Sequence, residues 1–244
     1  MGLEVKPDDS PSPPRSGRNR TYKLLDELGR NIVTGRYDGR AFPTEAELAR
    51  LHSVSRSVTR EAVKMLTAKG LLTARPRKGT TVQPPSCWNL FDTDVLRWLL
   101  EREFSLELLR QFSELRIAIE PEAAALAARA AAPEAVAAIA AGYARMEAAE
   151  RGQDDALDSD IAFHIAILEA SGNPFYRQFR DVVATALRTS IRFTNRFKGR
   201  TASLPAHHEV LAAIEAGDSE GARAAMAAII REVMVLFDEA RGPA

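Results

Sequence analysis

From Asp92 onward the chain shows no strand-like alternation. Ala- and Leu-rich segments follow one another, interrupted at Ala132-Pro133, Arg151-Gly152, Ser171-Gly172-Asn173-Pro174, around Lys198-Gly199 and at Gly217-Asp218. Pro and Gly at such points end helices rather than continue them. Length and pattern together predict an all-α bundle of six or seven helices, without an internal repeat. The 45% hydrophobic content supplies a core for it. No eighteen consecutive residues are apolar and uncharged, so no membrane span is expected.

The front of the chain reads differently. From about Arg20 to Thr34 the residues Tyr22, Leu24, Leu25, Leu28, Ile32 and Val33 fall mostly on one helical face, and Gly35 ends that helix. Thr44 with Glu47 three positions on is a capping box, so a second helix starts there. A third runs from about Ser55 to Ala68 and stops at Lys69-Gly70. The stretch LLTARPRKGTTVQ then reads as two short strands around a tip bearing Arg75, Arg77 and Lys78. Helix, helix–turn–helix and basic hairpin is the order of a winged helix-turn-helix. The expected organisation is a disordered lead-in over 1–18, the winged helix over 19–83, a linker over 84–93 around Pro84-Pro85, and the helical domain over 94–240. The lead-in has no apolar h-region, and the single Cys87 fits a reducing compartment, so a cytoplasmic protein is expected.

Net charge is zero, yet unevenly spread. Residues 1–85 carry 16 Lys and Arg against 9 Asp and Glu, a net +7, which leaves a net −7 on the remainder. A basic module on an acidic body points to a polyanion met by the front alone. The third helix has its hydroxyl and basic residues first, Ser55, Arg56, Ser57, Thr59 and Arg60, with Val58, Ala62, Val63, Met65 and Leu66 at helical spacing behind them. A recognition helix presents its N-terminal residues to base edges and its back to the core. Arg56 and Arg60 share a face and can each bind guanine O6 and N7; Ser55, Ser57 and Thr59 suit phosphate oxygens. The wing residues can grip the DNA backbone or the minor groove.

In the second domain three of the four histidines occur: His164, His207 and His208. DIAFHIAILEASGNPFY places Asp160 and His164 one turn apart among Ile161, Phe163, Ile165 and Ile167. Such a pair on an apolar helix needs partners; a metal or an acid ligand would supply them, and a local Asp–His hydrogen bond is the plainer alternative. Arg116 lies among Leu115, Ile117 and Ile119, with Glu120 one turn on. It is either one half of an intrahelical pair on a solvated edge or a buried clamp for a ligand carboxylate.

The segment FPTEAELARLHSVSRSVTREAVKMLTAKGLLTARPRKGTTV resembles the DNA-binding domain of GntR-family regulators. By that resemblance Ser55, Arg56, Ser57 and Arg60 are DNA contacts of the third helix, and Lys78-Gly79 form the wing tip; Thr44 at the start of the second helix is a further candidate DNA contact. Many members of the FadR branch carry a base-reading arginine where this chain has Ala46, which implies one arginine fewer per half-site. From about Leu106 to Met234 the motifs ELRxxxEPxAAxLAA, DxxFHxxxxxxSGNP and HxxVLxAIxxGDxxxA are similar, in order, to the FCD ligand-binding domain of that branch. The resemblance implies an effector site at Asp160, His164 and His207, with Arg116 and Asn195 as further candidate effector contacts. It also implies a divalent metal, zinc or similar, on Asp160, His164 and His207. The fourth histidine of many members falls at Ile229, so either three protein ligands hold the metal with water or effector, or the site binds effector alone. CWNLFDTDVLRWLLE resembles sugar-acid-responsive repressors of the galactonate type, while Trp88 and Trp98 are expected to pack between the domains. The whole implies a homodimeric repressor that binds a double-stranded operator and is released by a small carboxylic or sugar acid. A metal-responsive regulator and a metal-dependent enzyme fused to a DNA-binding module are the rivals; a regulator without enzymatic activity is the expectation.

Overall fold

The computed structural model describes residues 15–75, 79–102, 106–198 and 202–241, with side chains for 19–74, 79–101, 106–191 and 202–240. The chain forms two compact units, Met1–Leu90 and Phe91–Ala244.

In the first unit, α1 (Arg15–Val33) begins inside the stretch expected as lead-in and buries Leu24, Leu25, Leu28, Ile32 and Val33. α2 (Glu45–Leu51) starts on the expected capping box. Glu47 N–H donates to Thr44 Oγ1 at 3.3 Å, and Thr44 N–H donates to Glu47 Oε2 at 2.8 Å. α3 (Arg56–Ala68) is capped by Ser55, whose hydroxyl accepts from Val58 N–H at 3.3 Å. Strands β1 (Leu72–Arg75) and β2 (Gly79–Val82) pair antiparallel, Leu72 opposite Val82 and Arg75 opposite Gly79.

This unit runs past Pro84-Pro85, to Leu90. A 3₁₀ turn over Pro85–Cys87 brings Trp88 back, where it is buried and donates from Nε1 to Gln83 O at 2.9 Å, while Asn89 N–H donates to Lys69 O at 3.0 Å. Gly70 makes the return possible. Its φ is +79°, and a Cβ there would stand 2.2 Å from Cys87 O. Gly70→Ala is therefore expected to destabilise the first unit by more than about 1 kcal/mol, since alanine resists that φ and the backbone has no room to yield. A melting temperature equal to wild type would contradict this account of the turn.

The second unit is entirely helical among the described residues: α4 (Thr93–Arg102), α5 (Leu106–Ala130), α6 (Pro133–Glu150), α7 (Ala156–Ala170), α8 (Pro174–Gln178), α9 (Arg180–Lys198), α10 (Leu204–Glu215) and α11 (Ser219–Arg241). These eight exceed the expected six or seven because Asn173 caps a separate short helix, α8, accepting from Phe175 N–H at 2.9 Å. The principal packings are α5 on α11, α6 on α7 and α10 on α11. Fully buried Ala123, Ala124, Ala127 and Ala128 line α5, and small side chains let neighbouring helices approach. Gly142 of α6 does the same for α7; a Cβ there would lie 3.0 Å from Phe163 Cα. Among the described residues no helix is long and apolar enough to cross a membrane.

Candidate functional site

Each unit carries its own group of candidate functional side chains. In the first, the α3 N-terminus exposes Ser55, Arg56, Ser57 and Arg60, with Thr44 exposed at the start of α2. Ser55 and Ser57 hydroxyls lie 2.9 Å apart. Arg60 is 63% exposed, its Nε 3.4 Å from Glu45 Oε2, a contact weak enough in solvent for the guanidinium to be drawn to a base. The Thr44 hydroxyl donates to Glu47 Oε2 at 2.8 Å, so its first task is the cap. Thr59 corrects the sequence expectation. It is fully buried on the face of Ala62, Val63 and Leu66, and its hydroxyl donates to Ser55 O at 3.3 Å, so it cannot serve a phosphate. Gly79 is exposed at φ +76°. Arg77 and Lys78 lie outside the described residues, and Arg75 is described by its backbone alone.

The second unit's site is built by α5, α7 and α10. Asp160 and His164 are four apart on α7 and so project from one face; His207 reaches them from the first turn of α10. All three are buried, and their candidate ligand atoms lie within 4.8 Å of one another. His207 Nε2 is 3.1 Å from Asp160 Oδ1, and His164 Nε2 is 3.5 Å from the same oxygen. The Phe163 ring stands edge-on to both imidazoles, 5.2 Å from His207 and 6.0 Å from His164 between centroids.

The opposite ring nitrogens are held from behind. His207 Nδ1 lies 2.8 Å from Ser203 O, a carbonyl that can only accept. His164 Nδ1 lies 2.6 Å from Glu120 Oε2, close but off the ideal hydrogen-bond direction. Glu120 in turn receives Arg116 Nε–H at 2.5 Å and an Nη2–H at 3.1 Å. Burial penalises the Asp160 charge, yet its two histidines hold the carboxyl well below the usual range. Burial also opposes charge on His164, but Glu120 and Asp160 outweigh it and raise its pKa to about 9.

This arrangement suits a cation. Both Nδ1 atoms face acceptors, and each Nε2 faces the Asp160 carboxylate. Histidine ligands of metals are commonly oriented in this way, the far nitrogen held by a carboxylate or a carbonyl. Asp160, His164 and His207 thus fit a divalent ion, and Ile229, 8% exposed at the edge of the same cavity, leaves no fourth protein ligand among the described residues.

The cavity measures about 580 Å³. Arg116 and the three donors line it, Ser190 adds a hydroxyl, and the exposed carboxylates of Glu150 and Glu232 lie on its rim. Arg116 is neither a solvated-edge residue nor a free clamp. It is 3% exposed, and its Nε/Nη2 edge is taken by Glu120, which leaves Nη1 for a ligand. The contact of Glu120 with His164 escaped the sequence reading, which saw Glu120 only as a partner of Arg116; a carboxylate in an apolar stripe was its one signal. Asn195 lies on α9 with its backbone alone described. Trp88 is buried in the first unit and Trp98 in the second.

Residues 21–82 match the family described as bacterial regulatory proteins, gntR family, and residues 111–232 match the FCD domain. Two Escherichia coli relatives align over 217 residues. The uncharacterized HTH-type transcriptional regulator YieP is 35% identical, covering 88% of this chain and 94% of its own. The galactonate operon transcriptional repressor is 32% identical, covering 87% and 94%. Among solved structures, E. coli McbR/YncC shares the fold at TM-score 0.52 and 19% identity, over 91% of this chain and 99% of that one.

Proposed function

Since the chain belongs to the bacterial gntR family of regulatory proteins and carries its FCD domain, we propose that it is a homodimeric repressor released from its operator by a hydroxylated carboxylic acid of the sugar-acid class. The observation that carries the effector half is the buried Asp160–His164–His207 cluster opening onto the 580 Å³ cavity beside Arg116. The guanidinium edge left by Glu120 suits a carboxylate, and Ser190 suits a hydroxyl. Glu150 and Glu232 on the rim suit hydroxyl donors further along the ligand. A divalent ion on Asp160, His164 and His207 would supply a Lewis-acidic point for the acid's oxygens. The galactonate operon repressor among the relatives supports a sugar acid. Asn195 stays a proposed contact of this site, and Arg75, Arg77 and Lys78 proposed contacts of the DNA.

Release follows if the acid binds more tightly to the dimer conformation that cannot span both half-sites. The test is operator binding by fluorescence anisotropy, with sugar acids titrated in with and without chelator. Release by an aldonate, from a complex of two chains per operator, is expected. Release by metal alone would make the ion itself the signal, and turnover of the acid would make the site an enzyme's.

For the DNA half, Arg56→Ala and Arg60→Ala are each expected to weaken operator binding by about 1–3 kcal/mol and to leave effector binding intact. Both side chains are exposed at the front of α3. An equal loss on random DNA would reduce them to phosphate contacts.

A further inference from the structure

His52 is the histidine that the site above does not use, and its surroundings are unusual. It ends α2 at the turn into α3, with a side chain 12% exposed. Its Nδ1 lies 3.3 Å from Glu27 Oε2. Its Nε2 is buried and has no hydrogen-bond partner. A buried ring nitrogen left unpaired costs free energy that a ligand would recover.

The space beside it is a cavity of about 230 Å³ between α1 and the α2–α3 turn. Arg20, Lys23 and Glu27 of α1 line it, with His52, Ser53 and Val54 of the turn. Arg20 and Lys23 are exposed, and neither has an ion-pair partner among the described residues. Glu27 is the sole carboxylate among those lining residues, and it faces the imidazole. Two cations without ion-pair partners among the described residues thus meet at one opening, with the His52 ring in its wall. That opening adjoins the α3 N-terminus: Val54 lines it, and the next residue, Ser55, caps the recognition helix.

We propose that this cavity is a seat for one backbone phosphate of bound DNA, gripped by Arg20 and Lys23 and completed by the His52 ring. A phosphate oxygen beside the ring would give His52 Nε2 the partner it lacks. A phosphate held here fixes how far the front of α3 enters the groove and carries no sequence information itself. The inference rests on DNA binding by the first unit. Wild-type binding to operator is therefore the first measurement, and its absence would fail that reading before any variant is made.

The experiment compares Arg20→Gln, Lys23→Gln and His52→Gln in the full chain, on operator and on random DNA, from low to moderate salt. Arg30→Gln serves as the charge control: it lies at the far end of α1, pairs with Asp26 at 2.9 Å and stands clear of the cavity. Binding is expected to weaken by the same factor on both DNAs for Arg20→Gln and Lys23→Gln. Each should also lower the slope of log affinity against log salt by about 0.9, the value of one lost phosphate contact. His52→Gln keeps a donor at the ring's end and should weaken binding less than His52→Ala. Three results would overturn the proposal. The first is variants indistinguishable from Arg30→Gln, and the second is a loss confined to operator DNA. The third is tight binding of inorganic phosphate by the DNA-free protein that Arg20→Gln abolishes while DNA binding is unchanged, which would assign the cavity to a free anion.

Discussion

Glu120→Ala is expected to destabilise the second unit by about 3–5 kcal/mol, the range for removing one partner of a buried ion pair. Glu120 is 1% exposed, accepts two hydrogen bonds from Arg116, and lies against His164 Nδ1. Its loss strands a buried guanidinium and removes the carboxylate that lies against His164 Nδ1. Replacing both partners, Arg116→Met with Glu120→Leu, should recover most of that loss, because no charge is then left buried. The recovered protein should still fail to answer an acid effector. The pH dependence gives an independent check in metal-free protein. Burial works against charge on Glu120, but Arg116 and His164 hold its pKa down at about 2. Its contribution is complete above about 4.5 and lost as pH falls towards 2. His164 is raised to about 9, so its contribution is complete below about 6.5 and lost as pH rises through 9. The melting temperature should be highest between those windows and fall from about pH 6.5 to 9. In Glu120→Gln the alkaline fall should shrink, since Glu120 is the largest cause that raises His164. A flat melting temperature over that range in wild type would sink this account.

What was legible in the sequence was local. The capping box at Thr44 and Glu47, the cap at Ser55, the helix stop at Gly70 and the pairing of β1 with β2 follow from neighbours within a few positions. Asp160 with His164 is likewise an i,i+4 relation on one helix. Illegible were relations that only tertiary packing creates. His207 reaches Asp160 across 47 positions, and Glu120 reaches His164 across 44. The family resemblance brought His207 to the site; spacing alone did not. Thr59 was misread because a helix front can be polar and still turn one hydroxyl to the core, where it bonds to Ser55 O. The Pro84-Pro85 break marks the end of β2 correctly. It does not end the compact unit, because Trp88 and Asn89 return to Gln83 and Lys69.

His164→Ala and His207→Ala are each expected to abolish acid-driven release and to lower bound metal sharply, with operator affinity near wild type. Each variant removes one of the two imidazoles that face Asp160, while the residues proposed to read DNA belong to the other compact unit. Asp160→Asn should act in the same direction more mildly, since it keeps size and hydrogen bonding but not charge. Ile229→His tests the open corner. Ile229 lines the cavity and is largely buried, so an imidazole there can complete a four-ligand shell and should raise metal affinity. The same imidazole would occupy the position that the acid's oxygens need, so release should weaken even as metal binding tightens. A site with three fixed protein ligands and an effector predicts those opposite signs; a merely structural metal predicts tighter metal and unchanged release. Metal uptake should also expel a proton, because His164 is protonated between two carboxylates at neutral pH and must bind an ion as the neutral ring. Titration calorimetry at pH 7.5 in two buffers of different ionisation enthalpy measures that proton directly. Normal release in all three loss variants would mean that the effector binds elsewhere; normal release by wild type stripped of metal would leave the cavity in place and remove the ion from the reading.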